Sequence, residues 1–289
     1  MALSQALTHK GVRFIAGGWT FFIAENLVLS ENRETLVDRL GEAGYRNLYG
    51  SLSTVACASI AVGYIRFGRG QGPALWQSPG ALQQTAAFVV QSAGLVGFSQ
   101  LLPPLQLPVA VTRTPTPVEE DRAHIHPPVG SDAAKSTQSI AAPLGLQARC
   151  PIDFDHSRRL EGKEVSGMKM ITRHPVLWSM AFCGLGSALG ATLATEVCFG
   201  VFPAAMALIG GAHQDIRHRR SGELSHERDK VTSHLPFAAL LTGHQSWASL
   251  TDEIAWGNAG LACGLGALLS LRRRRRVLVP FKLPGLPGS

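Results

Sequence analysis

Six blocks of apolar residues, most of them close to the length needed to cross a bilayer, constrain this chain more than any other feature of its sequence. They run over about 14–29, 48–65, 81–102, 176–194, 197–212 and 254–271, the fifth being short. About 20 apolar residues at 1.5 Å rise span the hydrocarbon layer, so membrane-crossing segments are expected. Hydrocarbon offers backbone N–H and C=O groups no partner, so each block should be a helix. Composition agrees, because the charged fraction of 16% lies well below the roughly 25% of ordinary soluble domains. The expected fold class is all-α: a polytopic membrane bundle of about six transmembrane helices around a disordered, Pro-rich central linker.

The blocks set the organisation. Residues 1–102 form an N-terminal three-helix half, 103–149 a linker, 150–271 a C-terminal half and 272–289 a basic tail. The linker contains Pro103-Pro104, Thr114-Pro115-Thr116-Pro117 and Pro127-Pro128 with no helical or strand periodicity, the composition of a segment that does not fold. Its His124-x-His126 pair has no neighbouring ligands and is not read as a metal site. Gly186-x-x-x-Gly190 and Gly260-x-x-x-Gly264 put small residues on one helix face, where neighbouring helices can approach.

The net charge of +7 does not imply nucleic acid. Its cations gather in loops and tails beside the apolar blocks, and Arg272 to Arg276 follow the sixth block as an anchor to lipid headgroups would. With six spans, the loops around Arg33 and Arg217 and the central linker share one side while the arginine tail lies on the other. The charge rule thus points both ways and no side is assigned. The partner implied is the lipid bilayer.

Candidate chemistry is sparse. No nucleophile elbow, phosphate loop, Cys-x-x-Cys pair or His-Glu-x-x-His occurs, which removes common hydrolase, kinase and zinc-protease readings. The five cysteines show neither a disulfide framework nor zinc spacing. What remains is polar residues at helix ends. Arg173-His174-Pro175 opens the fourth block, with proline tolerated in a first turn and an imidazole placed to move a proton or bind a headgroup. His213, Asp215, Arg217 and His218 close the fifth, His213 and Arg217 sharing a helical face. Candidate catalytic residues are Arg173, His174, His213 and Asp215, and no metal-ligand set is expected. Glu25, beside Asn26, is an acid inside an apolar block and needs a partner or a task.

Several motifs carry a resemblance. Gly167-Met168-Lys169-Met170-Ile171-Thr172-Arg173-His174-Pro175, Gly41-Glu42-Ala43-Gly44-Tyr45-Arg46-Asn47-Leu48-Tyr49, Leu75-Trp76-Gln77, Pro236-Phe237-Ala238-Ala239 and Gly243-His244-Gln245 together resemble the NnrU-like membrane proteins, in particular the zeta-carotene isomerase branch. Isomerase members are similar to one another in holding haem b between two histidines on different helices. That resemblance implies carotenoid biosynthesis, a hydrophobic isoprenoid or pigment as ligand, and an organellar membrane, plastid or mitochondrial. At the matching positions this chain reads Asn26 and Gly184-Leu185-Gly186-Ser187, and neither asparagine nor serine replaces imidazole on haem iron. The expectation is therefore a divergent relative without haem b, acting as a non-catalytic membrane or complex subunit. An active cis-trans isomerase is the alternative. A membrane methyltransferase using His174, Glu223 and Arg228 is the second alternative, since Arg-His-Pro at a helix start also resembles those enzymes.

Overall fold

The computed structural model describes residues 2–76, 79–103, 109–111, 146–148 and 165–278. All six apolar blocks are helical. A short α1 (Ala2–Thr8) precedes α2 (Lys10–Glu31), α3 (Arg33–Phe67) and α4 (Ala81–Ser99); then come α5 (Met168–Ile171), α6 (Pro175–Leu189), α7 (Ala194–Ser221), α8 (His226–Val231), α9 (Ala238–Leu241), α10 (Trp247–Glu253) and α11 (Trp256–Leu278). Most of the linker, with His124 and His126, lies outside the described residues, as do Cys150, Gln77 and residues 279–289. The parts described there are two short strands, β1 (Val109–Val111) and β2 (Leu146–Ala148), paired antiparallel with Val109 opposite Ala148. At these residues the expectation of a wholly unstructured linker is corrected.

The count of spans is also corrected. Among the described residues three helices, α2, α3 and α7, are long and apolar enough to cross a membrane, and the bent pair α10 and α11, at 83° to each other, makes a fourth if it is one span. The helix α6 has 15 residues, about 22 Å at 1.5 Å per residue. Gln83, Gln84 and Gln91 dilute the apolar character of α4. Helix α11 continues through the arginines of the basic tail to Leu278.

The long helices alternate in direction. Glu25 on α2 meets Ser53 on α3, and Leu29 meets Tyr45, so this pair is antiparallel. In α2 and α7, Val12 lies by Cys198 and Glu31 by Arg220, so they run parallel. Helix α6 is antiparallel to both neighbours: Gln83 reaches Leu189, while His174 reaches Asp215. Helix α11 runs antiparallel to α4, with Asn258 bonded to the Ser99 carbonyl and Gly266 against Ser92.

Packing is close where side chains are small. Ala181 and Ala207 are fully buried in the α6–α7 seam with Trp178 and Ala204. A Cβ on Gly94 would lie 2.6 Å from the Ser179 carbonyl oxygen, and one on Gly184 would collide with the Gly200 carbonyl. These contacts, rather than both glycine pairs expected from sequence, bring the backbones together: a Cβ on Gly260 or Gly264 would meet nothing within 4 Å. Leu261, Leu265 and Leu268 beside them are exposed, as suits a lipid-facing surface. Between α2, α3 and α7, Trp19 lies parallel to Phe202 with ring centroids 6.2 Å apart, and Tyr64 stacks on Phe199 at 4.2 Å.

Candidate functional site

At the end of the bundle where α6 begins and α7 ends, polar side chains gather under a loop. Pro175 starts α6, leaving His174 as its N-cap with a non-helical backbone. The segment 231–237 folds back over that start. Ser233 O accepts from Arg173 N at 2.9 Å, His234 O from Thr172 Oγ1 at 2.7 Å, and Ile171 O from Phe237 N at 2.9 Å. Phe237 adopts a left-handed backbone, φ 64°, and its ring stacks on Trp247 at 6.3 Å.

Arg173 is the hub. Its Nη2 and Nε donate to Asp215 Oδ2 at 2.6 and 3.0 Å, and its Nη1 donates to Asp229 Oδ1 at 2.9 Å and to Thr232 O at 3.0 Å. Asp229 in turn accepts from Arg219 at 2.7 and 2.9 Å. That Arg219 bond, with Arg173 adding to it, holds the Asp229 carboxyl below its ordinary value against the opposing effect of burial. His174 Nε2 lies 2.8 Å from Asp215 Oδ1, and both side chains are under 10% exposed. A buried charge is tolerated where its hydrogen-bonding capacity is met, and here a planar guanidinium is matched by two carboxylates and a carbonyl.

Of the four sequence-predicted catalytic residues, Arg173, His174 and Asp215 come together and His213 does not. Two helical positions separate His213 from Asp215, about 200° of rotation at 3.6 residues per turn. His213 therefore faces α2, 3.8 Å from Glu31, and lines a cavity of about 280 Å³ with Asn26, Ser30, Arg33 and Tyr49. Arg217 shares that side, as expected, and bonds Ser30. Glu223 pairs with His218 at 3.3 Å. Glu25 is buried and accepts from Asn26 and Ser53, each at 2.8 Å, so it has partners within α2 and α3.

Sequence reasoning assigned no role to Asp229, Thr232, Gly211 or His234. His234 abuts Trp178 and His174, with ring centroids 5.9 and 5.4 Å away. Both of its ring nitrogens are buried and neither makes a well-formed hydrogen bond. Burial pushes its pKa down, the neighbouring His174 adding to the effect.

Asn26 and Ser187 lie apart from this network and from each other. Asn26 donates to Phe22 O and Glu25 and accepts from Tyr49. Ser187 accepts a 3.4 Å bond from Gln91 and lines a different cavity, of about 390 Å³, with Tyr64, Arg69 and Glu196.

Residues 13–263 match the model of the NnrU protein family. The chain belongs to the NnrU family. No curated protein and no solved structure gives a significant match. Within this NnrU protein, the family match covers the Arg173 network and the bundle from residue 13 in α2 to residue 263 in α11.

Proposed function

We propose that the chain is a non-catalytic subunit of a membrane complex, a divergent relative of the zeta-carotene isomerases in an organellar membrane. The observation that carries this reading is the Arg173 network. Its guanidinium nitrogens bond Asp215, Asp229 and Thr232, so the Arg173-His174-Pro175 motif is occupied in holding α6, α7, α8 and the 231–237 loop together. The arrangement of Asn26 and Ser187 on separate cavities supports a chain that does not use haem b at the inherited positions. Absorption spectroscopy of detergent-purified protein tests this: no Soret band is expected, and stoichiometric haem would overturn the reading. Mild-detergent isolation should bring down a membrane partner in constant ratio, and a chain isolated alone under those conditions counts against it.

One observation favours the isomerase alternative. Leu95, Phe98, Leu102, Leu261 and Leu265 line a cavity of about 720 Å³ between α4 and α11, a size and character suited to an apolar ligand. Its polar lining residues are Ser99 and Asn258, and neither is an acid or base near neutral pH. Expression in cells that accumulate the cis-carotene precursor separates the two readings. Unchanged pigment is expected; conversion would establish the enzyme.

A further inference from the structure

We infer that His174, Asp215 and His234 form a binding site for a divalent transition metal, best suited to Zn²⁺. This goes beyond the subunit reading and does not depend on it. One ligand atom from each residue lies within 4.8 Å of the other two. They come from three separate segments, 41 residues apart between His174 and Asp215, so no spacing in the sequence announces them. Two imidazoles and one carboxylate form a borderline-soft donor set that zinc, cobalt and ferrous iron accept and that magnesium and calcium do not favour.

Three features of the surroundings point to a ligand. Both ring nitrogens of His234 are buried and neither makes a well-formed hydrogen bond, the Leu208 carbonyl acting on the ring least of its neighbours. A buried imidazole in that condition is destabilising and calls for an explanation; a lone pair turned to a metal supplies one. Second, Asp215 divides its work. Oδ2 takes the two shorter bonds from Arg173, at 2.6 and 3.0 Å, while Oδ1 takes a longer one at 3.2 Å and lies 2.8 Å from His174 Nε2. Tetrahedral zinc with bonds near 2.1 Å separates adjacent ligand atoms by about 3.4 Å, so the pair needs to open by a few tenths of an ångström. Arg173 then acts as the outer partner that fixes the carboxylate's orientation.

Third, the backbone makes room. Gly211 lies one helical turn before Asp215 on α7, and a Cβ there would lie 2.5 Å from His234 Cε1 and 3.0 Å from His174 Cδ2. Both imidazoles rest over a residue without a side chain. The loop that presents His234 is held by the bonds of Arg173, Thr172 and Phe237, so the donor is positioned before any metal arrives. Metal binding would displace the proton between His174 and Asp215 to solvent and bridge α6, α7 and the 231–237 loop through one ion.

The test uses full-length protein in detergent, purified without a polyhistidine tag and stripped by a chelator. Titration with Co²⁺ should give one equivalent of visible d–d absorbance, abolished by Zn²⁺. Because His174 and Asp215 also hold the fold together, the informative variant is His234→Val, which removes a donor that makes no well-formed hydrogen bond. It should weaken Co²⁺ at least tenfold and abolish the rise in melting temperature that Zn²⁺ gives the parent, while His213→Ala leaves both intact. Failure of the parent to bind one equivalent overturns the inference. So does unchanged Co²⁺ affinity in His234→Val, or loss of binding in His213→Ala alone. A haem spectrum would overturn the subunit reading without touching this result.

Discussion

Arg173 and Asp215 show how a few atoms fix one end of the bundle. The guanidinium is 12% exposed and the carboxylate 5%, so neutralising one strands the other in a poorly hydrated place. Breaking such a pair costs about 3–5 kcal/mol. Asp215→Asn should therefore lower the thermal midpoint in detergent substantially, and an unchanged midpoint would show that the pair contributes nothing. Asp229 gives a pH dependence. Its carboxyl lies below the ordinary 3.8 in the folded chain because Arg219 and Arg173 hold it. The unfolded chain therefore binds the proton more readily. Its contribution is complete above that ordinary value and is lost as pH falls through the folded one. Asp229→Asn should be less stable than the parent near neutrality, with the difference shrinking as acid is added.

At the scale of elements, close packing rests on a few glycines. Gly184→Val would drive a side chain into the Gly200 carbonyl and Pro203 on α7. Overpacking of this kind costs about 1–3 kcal/mol, readable as a lowered melting temperature, whereas Gly264→Val faces open space and should leave it unchanged. Gly41 has a different task. It interrupts α3 with φ 74° and ψ 165°, a region nearly closed to other residues and worth about 1–3 kcal/mol in strain. Gly41→Ala meets no atom within 4 Å, so any loss of stability it causes is conformational, and differential scanning should show one.

On the scale of the whole molecule, the interleaving of the two halves is the main result. Helix α4 packs between α6 and α11, and α2 packs beside α7, so neither half encloses its own core. Apolar side chains such as Val55, Val62, Leu261 and Leu268 point outward, as a lipid-facing surface requires. Cys57 and Cys263 are exposed on that surface. In membranes, with Cys150 replaced by alanine, these two should react with a lipophilic maleimide and resist a charged one. Ready labelling of both by the charged reagent would place them in water and contradict the assigned surface.

The apolar blocks determined by themselves that this is an all-α membrane chain, because hydrocarbon leaves the backbone no choice but the helix. The same reading brought out Arg173, His174 and Asp215, since charged residues at helix ends are conspicuous against apolar sequence. It could not separate His213 from Asp215 in function, although helical geometry alone puts them on different sides. Nor could it find His234 as a partner of His174, because proximity across 60 residues is a property of the folded chain. Span number, the choice of contacting glycines and the meeting of two imidazoles over Gly211 were decided by tertiary structure. Local sequence fixes which segments are helices, while their mutual approach depends on how several faces pack at once.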